Sequence, residues 1–113
     1  MEYNLETRSK TFARLVRNWI NTIPKSITTI EDCKQLTRSS GSIGANYIEA
    51  NESLSKKDFQ MRVKIAKKEA KESIYWLDLL EQNNVNLDKE RKKLLQECHE
   101  LMNILGAILR NSQ

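Results

Sequence analysis

Two places in the chain bring together residue types that do chemistry. Glu69 and Glu72 lie one helical turn apart in EAKE, and Cys98 is followed directly by His99 in CHEL. Carboxylates at that spacing suit a di-metal or general acid–base centre, and a Cys–His pair suits a base-activated nucleophile. A ferritin-like di-metal bundle, however, needs a Glu-x-x-His motif from each of two helices. No Glu-x-x-His occurs, and His99 is the sole histidine. Adjacent residues on a helix point about 100° apart, so Cys98 and His99 face different ways. The distant Cys33 and Cys98 form no C-x-x-C and cannot complete a zinc set with one histidine. GSIGAN sits inside a helical pattern rather than after a strand, so it is neither a phosphate loop nor a dinucleotide fingerprint. The expectation is a protein that is not an enzyme, with no catalytic, cofactor-binding or metal-binding residue.

The elements that carry these side chains follow from composition. The 113 residues fit one domain, and only 3 Gly and 1 Pro with 6% aromatics argue against a β-sandwich. The apolar fraction of 39% argues against disorder. A net charge of +4 permits a polyanionic partner without demanding one. The opening MEYNLETRSK has no apolar run, and no stretch approaches the roughly 20 apolar residues of a membrane span. The expected place is a reducing cytoplasm with both thiols free.

Pro24, the Ser55–Asp58 start signal SKKD and the turn Asn83–Asn86 divide the chain into four helices, over about 4–23, 30–54, 56–83 and 88–110, with Asp88 capping the last. Each carries a 3-4 apolar seam. The first runs Leu5, Ser9, Phe12, Val16, Trp19, Ile23. The second runs Cys33, Leu36, Ser40, Ile43, Tyr47, Ala50, Leu54. The third runs Phe59, Val63, Ala66, Ala70, Ser73, Leu77, Leu80. The fourth runs Leu87, Arg91, Leu94, Cys98, Leu101, Leu105, Ile108. Only Ser9, Ser40, Ser73 and Arg91 break the pattern. This repeat, joined by short loops, predicts an all-α, antiparallel up-down-up-down four-helix bundle. A second stripe of Leu95, Met102 and Leu109 on the fourth helix, and of Met61, Ile65 and Trp76 on the third, is either a wide core face or an oligomer interface. His99 falls on the fourth helix's second stripe and reads as a packed or interface histidine.

The second helix is unusual. Ser39, Ser40, Gly41, Ser42, Gly44 and Ala45 are small residues in mid-helix, and each glycine there costs about 1 kcal/mol relative to Ala. Close helix packing or a polar ligand surface would explain them, and packing is the favoured account. The block QLTRSSGSIGANYIEANES, the SKKDF start and the EAKESIYWLDLL end of the third helix together resemble a bacterial four-helix-bundle family. Its better-known members are encoded in intervening sequences of large-subunit ribosomal RNA genes. The resemblance spans about residues 12 to 109. The family is in turn similar to the accessory subunit of diversity-generating retroelements, a pentameric barrel that works with a reverse transcriptase and RNA. The resemblance implies a ring-like homopentamer and, as partners, RNA or a reverse-transcriptase-type enzyme. It implies no catalytic residue and no cofactor. This chain is less basic than that accessory subunit.

Folding back at Ser55 would bring polar residues beside the two seams to common levels: Ser39 with Glu72, Ser42 with Glu69, and Glu49 with Arg62. Such a ladder would fix register, because buried polar groups are costly unless matched. Basic residues form two helical faces, Lys10, Arg14 and Arg17 on the first helix and Lys57, Lys64, Lys67, Lys68 and Lys71 on the third, with Arg38 free to join either. They are either solvated surface with local pairs such as Lys68–Glu72, or phosphate contacts. Neither face interleaves with exposed aromatics, so no stacking platform for single strands is expected.

Overall fold

The computed structural model describes residues 4–113. Among these residues the elements are α1 (Leu5–Ile20), α2 (Ile27–Asn51), α3 (Lys56–Leu79) and α4 (Val85–Asn111), with no strand. No helix is long and apolar enough to cross a membrane.

Each helix starts where a side-chain oxygen satisfies one of the unpaired N–H groups of the first turn. Asn4 accepts from the Thr7 N–H, Ser26 from Thr29, Ser55 from Asp58 and Asn84 from Leu87. Ser55 is the start that SKKD signals. The other boundaries shift. Ser26 starts α2 a turn earlier than expected. Asn84, not Asp88, caps α4 and leaves Asp88 inside the first turn. There Asp88 accepts from the Gln82 backbone N–H at 2.9 Å and from Arg91 Nε at 2.7 Å. The first helix stops at Ile20 rather than Ile23. Pro24 disfavours helix in the residue before it, and the Lys25 ammonium donates to the Ile20 and Ile23 carbonyls. Because α2 ends at Asn51, Leu54 falls in the connection and is 100% exposed; it is no seam residue.

The remaining seams make the core. Phe12, Val16, Leu36, Ile43, Val63, Leu77, Leu101 and Leu105 are its largest fully buried apolar side chains, and Tyr47, Phe59, Leu87 and Ile108 pack half-buried against it. Burying an aliphatic or Phe side chain contributes about 1.5–3 kcal/mol, so the seams dominate stability. Five buried polar residues lie in these seams or, for Ser39, beside one, and each is satisfied. Ser9 donates to Glu6 O, Ser39 and Ser73 share a 2.8 Å hydrogen bond, Ser40 donates to Thr37 O, and Arg91 donates to Leu77 O.

The packing is cyclic: α2 lies most extensively against α3, α3 against α4, α1 against α2, and α1 least against α4. Thus α1 and α3 stand across the diagonal. The small residues of α2 serve close packing. A Cβ at Gly44 would lie 2.8 Å from Ser9 Oγ on α1, a distance real Cβ atoms do not tolerate. A Cβ at Gly41 would meet only the mobile end of Arg17, at 3.1 Å.

Candidate nucleic-acid interface

Chain direction and helical spacing place Lys64, Lys67, Lys68 and Lys71 on one side of α3. Together with Met102 and Leu109 of α4 they line a groove between the two helices. Lys57 and Lys64 continue the row past Met61 and Gln60 toward Gln113. None of these lysines is ion-paired among the described residues. The local pair Lys68–Glu72 does not form, because Glu72 is taken from the other side.

That other partner is Arg38. Its guanidinium reaches from α2 to Glu72 Oε1 at 2.7 Å and to the two oxygens of Glu69 at 3.2 and 3.3 Å. The hydrogen bond from Arg38 holds the Glu72 carboxyl below its ordinary range, and the same bond raises the guanidinium. Arg38 therefore joins the α3 side as a neutralising cation, not as a free phosphate contact. Lys10 and Arg14 are exposed on α1, while Arg17 donates to the Ala13 and Thr37 carbonyls at 3.2 and 3.3 Å. Since α1 and α3 are diagonal, the two basic clusters do not merge.

The polar ladder between α2 and α3 exists with different rungs. Ser39 meets Ser73 rather than Glu72, and Arg62 donates to Asn46 Oδ1 at 3.3 Å rather than pairing with Glu49. Ser42 donates to its own helix at Arg38 O, at 2.9 Å, rather than to Glu69, and Glu49 lies exposed. Dielectric explains the change. Ser39 is fully buried, where a hydroxyl partner costs little and a carboxylate would be heavily penalised. The carboxylates stay at the rim, within reach of Arg38.

The second apolar stripes divide. Trp76, Leu95, Met102 and Leu109 are half-buried against the core, whereas Met61 is 51% exposed and Ile65 lines a surface groove. His99 is exposed, not packed, because Cys98 beside it takes the inward position. Cys98 is fully buried and donates to Ala70 O at 3.2 Å, and burial pushes its thiol up to about 12. Burial also raises Cys33. Neither thiol has the lowered pKa of a nucleophile.

Tyr75 is the functional candidate that periodicity missed. It is 57% exposed and lines a groove with Lys68, Lys71, Ile65 and the two carboxylates. An exposed aromatic therefore does stand beside the lysine row. The signal was available, since Tyr75 follows Lys71 by one turn and Lys68 by two.

The family model described as 23S rRNA-intervening sequence protein matches residues 2–107. The chain belongs to this intervening-sequence protein family. A crystal structure of a protein of unknown function from the S23 ribosomal protein family of Bacteroides thetaiotaomicron VPI-5482 is similar at 31% identity. The match covers 94% of this chain and 98% of that one, with a TM-score of 0.78. No curated protein shows significant sequence similarity to the chain. In this intervening-sequence protein the groove-lining lysines and the buried serine pair thus sit on helices that a solved relative largely shares.

Proposed function

We propose that this protein is a non-enzymatic, oligomeric interaction module that binds the phosphate backbone of RNA through α3. The carrying observation is the α3–α4 groove, where Lys64, Lys67, Lys68 and Lys71 converge without a carboxylate partner. Four unpaired ammonium groups on one face present a contact that releases counterions from a polyanion. The bundle is read as antiparallel up-down-up-down. Ser9 against Gly44, Glu6 with Asn51, and Arg17 with Thr37 support that direction for α1 and α2. A ring of copies would repeat the lysine row, so weak patches would act together. Two free, buried cysteines are in keeping with a reducing cytoplasm.

The test is RNA binding at several salt concentrations, with light-scattering mass measured alongside. Four phosphate contacts should give a slope of log affinity against log salt of about −3 to −4. Replacing Lys64, Lys67 and Lys71 by Glu should abolish binding while leaving the melting curve in place; retained affinity would overturn the reading. A second reading, a protein-binding adaptor without nucleic acid, draws on the half-exposed Met61 beside Ile65. An assembled protein indifferent to RNA would favour it.

A further inference from the structure

Lysine contacts to phosphate carry no information about whether the strand is single or double. We infer that the α3 face also holds a base-stacking platform, with Tyr75 as the ring that receives a base of single-stranded RNA. This rests on the phosphate-contact reading of the lysine row and adds a second kind of contact to it.

Tyr75 stands on the same helical face as Lys68 and Lys71 and lines one groove with both. Those two lysines also line the neighbouring groove with Met102 and Leu109, so the row runs along the edge of the ring's own hollow. A strand whose phosphates follow the lysines would carry its bases past Tyr75. The phenol is already placed for this. It meets the Trp76 indole edge to face, with centroids 5.0 Å apart and planes at 79°. Whichever ring presents its edge, at least one face of Tyr75 stays clear of the indole. Trp76 is in turn held by its N–H to Glu72 Oε1 at 3.3 Å, and Glu72 by Arg38 at 2.7 Å. Arg38 is thus a positioning residue for the aromatic pair, and a ring already held in place loses less freedom on binding. Glu69 and Glu72 line the same groove and would repel a phosphate, but Arg38 bonds both. With Lys68 and Lys71 added, cations outnumber carboxylates there.

Stacking on an aromatic side chain accepts any unpaired base, whereas a base inside a duplex already has neighbours on both faces. The experiment is fluorescence anisotropy of a labelled oligouridine of about ten nucleotides, and of a labelled G·C-rich RNA duplex of about the same length, at about 50 mM salt. Tyr75→Leu should weaken oligouridine binding roughly five- to hundred-fold. It should leave duplex binding nearly unchanged, and Tyr75→Phe should restore the single-strand affinity. Thermal melting of each variant checks that the fold is intact. If Tyr75→Leu binds both RNAs as the parent does while the triple Lys→Glu variant binds neither, the platform falls and the phosphate reading stands. If the parent binds neither RNA, both fall.

Discussion

Two glycines on one helix carry opposite expectations. At Gly44 a methyl group would collide with Ser9 across the α1–α2 interface. Overpacking costs typically about 1–3 kcal/mol, against roughly 1 kcal/mol gained in helix propensity. Gly44→Ala should therefore lower the melting temperature by a few degrees. At Gly41 the neighbour is the movable guanidinium of Arg17, so the propensity gain prevails and Gly41→Ala should raise it. Differential scanning calorimetry of the two variants checks both signs. The same composition signal, glycine in mid-helix, thus has two meanings that only the neighbouring side chain separates. The buried serines repeat the point. Ser39 and Ser73 were legible as small residues near the seam, but their shared hydrogen bond depends on a level between two helices, and dielectric selected it over a carboxylate.

The connection from α3 to α4 behaves as one unit. Arg91 caps the end of α3 by donating to the Leu77 carbonyl, and Asp88 holds the guanidinium while accepting from Gln82. Arg91, the charged residue in the fourth seam, is thereby explained as a turn clasp. The hydrogen bond from Arg91, followed by that from the Gln82 N–H, lowers the Asp88 carboxyl from 3.8 to about 2. A depressed carboxylate stabilises the fold above its unfolded value, and that contribution fades as pH falls from about 4 through 2. Asp88→Asn should be less stable at neutral pH and should lose less stability over that acid window, as read by denaturant midpoints at each pH. The α1–α4 contact is the least extensive of the four and includes a polar clamp. Arg8 donates to Glu97 at 2.6 Å and to Glu100 at 2.8 Å, and Trp19 donates to the Leu87 carbonyl at 2.9 Å. Arg8→Gln should cost about 1 kcal/mol or less, because the clamp is partly hydrated. The loss should be local: amide hydrogen exchange should quicken in α1 while the α2–α3 pair keeps its protection.

At the level of the whole molecule, α3 carries both the lysine row and outward apolar side chains. The stripe read as a possible interface is partly core, which leaves Met61 and Ile65 as its outward members. If copies assemble through this face, Met61→Glu should reduce the light-scattering mass without moving the melting transition. The lysine row lies beside the same residues, so assembly and RNA binding would share a border. Binding should then depend on protein concentration in a way that the Met61→Glu variant does not.

The four helices, nearly all of their seam residues and the family were legible in the chain alone. These follow from local periods and from side chains that cap their own helix, as Ser55 does, so they need no knowledge of a partner element. Even so, five ends moved by about a turn: Ser26 and Asn84 cap α2 and α4 earlier, Lys25 takes the Ile20 and Ile23 carbonyls where α1 ends, and α2 and α3 end at Asn51 and Leu79 rather than at 54 and 83. Which polar groups meet depends on how the helices pack against one another. Arg38 could have faced either basic cluster, and the α2–α3 packing turned it to Glu69 and Glu72. Tyr75 belongs to no seam or stripe of the sequence, and the placement of its neighbours makes it an exposed ring beside two unpaired lysines. Periodicity assigns a residue to a face of its own helix; what that face meets depends on helix–helix angle, register and burial, which arise only when all four seams close on one core.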